Sequence, residues 1–122
     1  MNIMVVDDEK VQIESLRRGL RSRSFDVMEA KNGEEALTRL DDESISIDMV
    51  ITDYAMPGMN GIELLRKVRE RNSSLPVIIM TAYGEKNLVI DAMRNHCDGF
   101  IEKPFTLDLL MEEIDRALLK AV

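Results

Sequence analysis

Five short apolar runs, each followed by a longer stretch of helical period, constrain this chain more than any other feature. They are Ile3-Met4-Val5-Val6, Phe25 to Glu29, about Ile47 to Asp53, Val77-Ile78-Ile79-Met80 and Phe100-Ile101-Glu102. Runs this continuously apolar do not suit a sheet with one wet face, so helices must cover both faces of a parallel sheet. Right-handed crossovers leave few topologies, and the flavodoxin-like order 2-1-3-4-5 is the commonest at this size. The fold class expected is α/β, a doubly wound five-stranded parallel sheet. A chain of 122 residues buries about two thirds of its unfolded surface, enough for one core, so residues 1–122 are expected to form a single domain.

The intervening segments carry helix signals. Ile13, Leu16 and Leu20 form one stripe, with Arg17, Arg18 and Arg21 off it. Asn32 with Glu35, and Asn60 with Glu63, are cap signatures ahead of the second and third helices. Asp41 to Ser46 is a polar connection, and the third helix is expected to end near Arg71-Asn72. Met56-Pro57-Gly58-Met59-Asn60-Gly61 punctuates a turn, and Pro76 opens the fourth strand. Gly84 is expected to begin a fourth helix with Leu88, Ala92 and Met93 inward, broken at Asn95-His96. Leu107, Leu110, Met111, Ile114 and Leu118 mark the last helix.

A net charge of −7 argues against intrinsic affinity for nucleic acid or an anionic membrane, because both require a basic surface. Cys97 is alone, which fits a reducing compartment. No positively charged stretch precedes a long apolar one, so a cytoplasmic protein is expected.

Parallel strands end on a common edge, and what stands there is chemically coherent. Asp7 and Asp8 come after the first strand, Asp53 ends the third, Thr81 the fourth and Lys103 the fifth. Open parallel sheets bind ligands at this edge, and the switch point falls between the first and third strands. Taken singly, each residue reads as a solvated loop residue, a cap or a surface charge; together they form a site. Three converging carboxylates repel one another unless a cation neutralises them, and oxygen donors without His or Cys suit Mg²⁺. A carboxylate can attack phosphorus to give an acyl phosphate. Mg²⁺, Lys103 and the Thr81 hydroxyl would then each take one equatorial oxygen.

With these residues in view, the chain resembles the receiver domain of two-component response regulators. The resemblance spans Val5-Val6-Asp7-Asp8-Glu9, Asp53 through Gly61, Met80-Thr81-Ala82-Tyr83 and Phe100 through Phe105. It implies Asp53 as phosphoacceptor, Asp8 as direct Mg²⁺ ligand, Asp7 acting through metal-bound water, and the Ala55 backbone carbonyl as a further ligand. It implies a histidine kinase or phosphotransfer protein as phosphoryl donor, with self-catalysed uptake and loss. It also implies that Thr81 and Phe100 relay the change to the surface of the fourth helix, fifth strand and fifth helix, where a partner binds or a homodimer forms. The Lys103-Pro104 peptide is expected to be cis.

Receivers usually place Gly where His96 stands, so strain or a re-routed turn is expected at Asn95-His96, with no metal or phosphorelay role for that histidine. Ala55 and Tyr83 occupy the positions that, by resemblance, govern water's access to the acyl phosphate, and imply a comparatively long-lived phosphoryl state. Most of the nine methionines read as core filler. Two other readings stand beside this one. A magnesium-dependent aspartyl phosphatase would need a second acid two residues beyond its nucleophile, where this chain has Ala55. A partner-binding pseudo-receiver would have no need of the five polar residues together.

Overall fold

The computed structural model describes residues 1–82 and 87–120. Strands and helices alternate along the chain: β1 (Asn2–Val6), α1 (Lys10–Ser22), β2 (Asp26–Ala30), α2 (Gly33–Asp41), β3 (Met49–Asp53), α3 (Gly61–Arg71), β4 (Val77–Ala82), α4 (Asn87–Arg94), β5 (Gly99–Lys103) and α5 (Leu107–Lys120). The strands form one parallel sheet in the order β2-β1-β3-β4-β5, as expected from the apolar runs.

Side chains alternate across the sheet, so each strand feeds two cores. On one face, Ile3, Val5, Met49, Ile51, Ile78, Met80 and Ile101 pack against α1 through Ile13, Leu16 and Leu20, and against α5 through Leu110, Ile114 and Ala117. On the other, Met4, Val6, Val50, Val77 and Ile79 pack against α2, α3 and α4, with Leu64, Leu65, Val68 and Ala92 buried among them. This is why the runs lack polar alternation: neither face of the central strands meets water.

The caps form as the sequence indicates. Asn32 accepts from the Glu35 amide at 2.7 Å, and Asn60 with Glu63 closes a reciprocal capping box at the head of α3. The start of β3 and the inner face of α4 differ from expectation. The third strand begins at Met49 rather than Ile47, because Ser46 and Asp48 are tied to the start of β1 by polar contacts instead, the Asn2 amide donating to Asp48 at 2.7 Å and its side-chain amide to the Ser46 carbonyl at 2.8 Å. Met93 is 67% exposed rather than inward, because α4 buries only Ala92. Gly84 lies outside the described residues, and the described part of α4 starts at Asn87.

At the outer edge of β5, the Glu113 carboxylate on α5 accepts from the Phe100 amide at 3.4 Å and is itself paired with Arg116. His96 takes a left-handed backbone, φ 65°, in the turn between α4 and β5. That conformation is several-fold enriched in His and Asn among non-glycine residues, though still uncommon.

Candidate functional site

Alternation decides which side chains meet at the carboxyl edge. Asp53 continues the Met49, Ile51 side of β3, and Lys103 continues the Gly99, Ile101 side of β5, so both project toward the α1/α5 face. Thr81 continues the Val77, Ile79 side of β4 and approaches from the opposite face. The site is therefore assembled from both layers of helices.

The Lys103 ammonium lies 3.0 Å from Asp53 Oδ1 and 3.7 Å from Asp7 Oδ2. Oxygens of Asp7, Asp8 and Asp53 all lie within 4.8 Å of one another. Asp7 is fully buried, Asp53 nearly so, and Asp8 is exposed. One Asp7 oxygen accepts from the Glu9 amide at 3.0 Å; the other is buried with no hydrogen-bond partner among the described residues. The Thr81 hydroxyl oxygen is likewise buried and unpartnered among them.

Burial is the main reason that the Asp7 carboxyl is pushed up to about 6, opposed by the Glu9 amide and reinforced by the negative charge of Asp53. The Asp53 carboxyl is raised too, again mainly by burial, with the Lys103 hydrogen bond and charge opposing the rise. Among the described residues a single ammonium, that of Lys103, serves two buried acids, which leaves the cluster short of positive charge. The donor set fits a hard divalent cation: oxygen atoms only, one of them buried and without a hydrogen bond among the described residues.

The segment after Asp53 is held by contacts that sequence reading missed. The Tyr54 amide donates to the Met80 carbonyl at 2.8 Å, and the Gly61 amide to the Tyr54 carbonyl at 2.8 Å. A Cβ on Gly61 would stand 2.6 Å from the Asp53 carbonyl oxygen and 2.9 Å from Tyr54 Cα. Only glycine allows α3 to start this close to the strand that carries Asp53. A Cβ on Gly33 would similarly meet Met59 Sδ at 2.6 Å, so Met59 seats the same loop against α2. The Asn-Gly pair announced a turn but not this approach.

Ala55 sits in the exposed turn directly after β3. The Lys103-Pro104 peptide is cis. Phe100 is half-buried against the α2–α4 core, on the same face of the sheet as Thr81. Tyr83 lies outside the described residues. His96 is exposed in the α4–β5 turn, at the other end of the strands from the acids.

Residues 3–115 match the family described as the response regulator receiver domain. The chain is 39% identical over 119 residues to the chemotaxis protein CheY of Pseudomonas aeruginosa, covering 95% of this chain and 94% of that protein. It is 35% identical over 118 residues to a cyclic di-GMP phosphodiesterase of Thermotoga maritima, covering 97% of this chain but only 31% of that protein. Among solved structures, the response regulator protein TrrA of Thermotoga maritima in complex with Mg(2+)-BeF superposes with a TM-score of 0.84 at 32% identity, covering 95% of this chain and 97% of that one.

Proposed function

This chain belongs to the receiver-domain family of two-component response regulators, and from that premise we propose that Asp53 is its phosphoacceptor in a phosphorylation-activated signalling switch. The observation that carries the proposal is the buried Asp53 carboxylate, 3.0 Å from the Lys103 ammonium and clustered with Asp7 and Asp8.

In the proposed reaction an Asp53 carboxylate oxygen attacks the phosphorus of a phosphohistidine on a histidine kinase or phosphotransfer protein. The new O–P bond forms as the P–N bond breaks, and the leaving imidazole takes a proton from solvent. Lys103 holds the nucleophilic carboxylate and, once transfer has occurred, balances a phosphoryl oxygen. The Thr81 hydroxyl, unpartnered among the described residues, donates to a second oxygen. Asp7, Asp8, Asp53 and the Ala55 carbonyl are the residues that would hold Mg²⁺; the clustered acids support this set, and TrrA, solved in complex with Mg(2+)-BeF, supports the choice of ion. When bound, Mg²⁺ supplies positive charge for the remaining oxygen.

Movement of Thr81 toward the phosphoryl group vacates space on the face it shares with Phe100. Phe100 turns into that space, which remodels the surface of α4, β5 and α5 for a partner or a second copy. Phe100 has no hydroxyl to bond outward in either position, so packing alone sets its balance. Ala55 offers no side chain to orient a hydrolytic water, which favours a long-lived acyl phosphate.

Intact-mass spectrometry after incubation with acetyl phosphate and Mg²⁺ tests the reading. The wild type gains one phosphoryl group, and Asp53→Asn, nearly isosteric but unable to form the acyl phosphate, gains none. Equal labelling of both would overturn Asp53 as acceptor. No labelling of the wild type by either acetyl phosphate or a histidine kinase would make the chain a pseudo-receiver.

A further inference from the structure

α4 is weakly rooted in the core. Of its eight residues Asn87–Arg94 only Ala92 is buried, while Ile90 is 56% and Met93 67% exposed. The turn that leads from α4 into β5 is held far more firmly. Two α3 arginines, one turn apart, reach it: Arg66 donates to the Asn95 side chain at 3.0 Å, and Arg69 donates twice to the His96 carbonyl, at 2.7 and 3.1 Å.

Arg69 is the hub. Its guanidinium also donates to the Leu75 carbonyl at 2.6 Å and to Asp98 Oδ2 at 2.7 Å, with its side chain only 13% exposed. Asp98 Oδ2 accepts from the Val77 amide at 2.9 Å, and the Asp98 amide donates to the Val77 carbonyl at 2.8 Å. One side chain therefore ties α3, the approach to β4, the first residue of β4 and the turn after α4. Charge-assisted hydrogen bonds are the strong ones, and those to Leu75 and Asp98 are part-buried as well. The left-handed backbone of His96 belongs to the same turn, and the carbonyl that Arg69 engages is His96's own.

The two ends of β4 are thus differently constrained. Val77 is locked by the Arg69–Asp98 pair, whereas Thr81, at the other end, carries a buried hydroxyl without a partner among the described residues. We propose that Arg69 is a positioning residue that serves as the pivot of the switch, fixing the Asn95–Asp98 turn so that phosphorylation tilts α4 about its C-terminal end rather than sliding it along the sheet. The proposal rests on the phosphorylation of Asp53. It accounts for an arrangement in which a helix with one fully buried residue runs into a turn held by Arg66, Arg69 and Asp98.

Hydrogen exchange read by mass spectrometry tests this on the whole chain, with and without Mg²⁺ and beryllofluoride, a tetrahedral anion of phosphoryl size. In the wild type, exchange within 87–92 changes on treatment while 94–98 stays as it was. In Arg69→Met the amides of 95–98 exchange about tenfold faster or more even untreated, since the lost charge-assisted bonds no longer oppose local opening. The treatment effect then spreads into that turn. Arg69→Lys, which keeps the charge and fewer donors, lies between. Arg69 is at the opposite end of the strands from Asp53 and touches none of the clustered acids, so Arg69→Met still gains one phosphoryl mass from acetyl phosphate.

A treated wild type that changes as much at 94–98 as at 87–92 overturns the pivot, as does an Arg69→Met protein whose resting exchange at 95–98 is unaltered. Should the methionine variant not fold, the wild-type profile and the lysine variant decide. A wild type that takes up no phosphoryl mass and shows no exchange change refutes the phosphorylation reading instead, while resting exchange in Arg69→Met still reports on the clamp.

Discussion

At the scale of single residues, Asp7 has the clearest pH signature. Its carboxyl is ordinary in the unfolded chain, near 3.8, and is pushed up to about 6 in the fold, chiefly by burial. The folded state therefore holds a proton that the unfolded state releases between about pH 4 and pH 6, and metal-free stability falls as pH rises through that window. The loss attributable to Asp7 at neutral pH is on the order of 3 kcal/mol, from a shift of about two units. Asp7→Asn abolishes it, so in chelator the variant should unfold at higher temperature than wild type at pH 7 and match it near pH 3. Denaturation at the two pH values checks this, and a variant less stable than wild type at pH 7 would contradict the burial argument. The residues at this edge were legible in the sequence because strand ends in a parallel sheet share an edge whatever the loops do. The Arg69–Asp98 pair was not, because a polar contact across 29 positions leaves no period to read.

At the scale of elements, the junction of β3 and α3 separates two costs that usually travel together. Asn60 caps α3 through the Ile62 and Glu63 amides, both at 2.9 Å, so Asn60→Ala should lose about 1 kcal/mol, seen as a lower urea midpoint at unchanged slope. Its phosphoryl uptake should stay near wild type. Gly61→Ala instead forces a Cβ to within 2.6 Å of the Asp53 carbonyl oxygen, a backbone atom with little room to retreat. Its uptake from acetyl phosphate should slow on the order of tenfold to a hundredfold, because misplacing a nucleophile by about 1 Å costs that much. Equal rates for the two variants would mean that α3 sets stability but not the position of Asp53. Element types were legible from periodicity, whereas boundaries and inner faces were less so. Met93 was expected inward beside Ala92, but one residue turns a helix through 100°, and a stripe as narrow as Leu88 and Ala92 leaves its neighbour in solvent.

At the scale of the whole molecule, the net charge of −7 and three clustered acids predict that a divalent ion stabilises the fold beyond ordinary screening. Mg²⁺ at about 100 times its dissociation constant should add about 2.7 kcal/mol, read as a higher melting temperature. NaCl at equal ionic strength should not reproduce it, and Asp53→Asn with Asp8→Asn should abolish it. Among the described residues no helix is long and apolar enough to cross a membrane. The sheet's two borders matter in another way. In an open five-stranded sheet β2 and β5 are edge strands, and an edge is a template on which other chains can polymerise. At β5 the Glu113 carboxylate occupies the Phe100 amide. An incoming strand would have to displace a charged oxygen before its first rung could form. The border nearest the proposed switch surface is in this way made less open to strand addition.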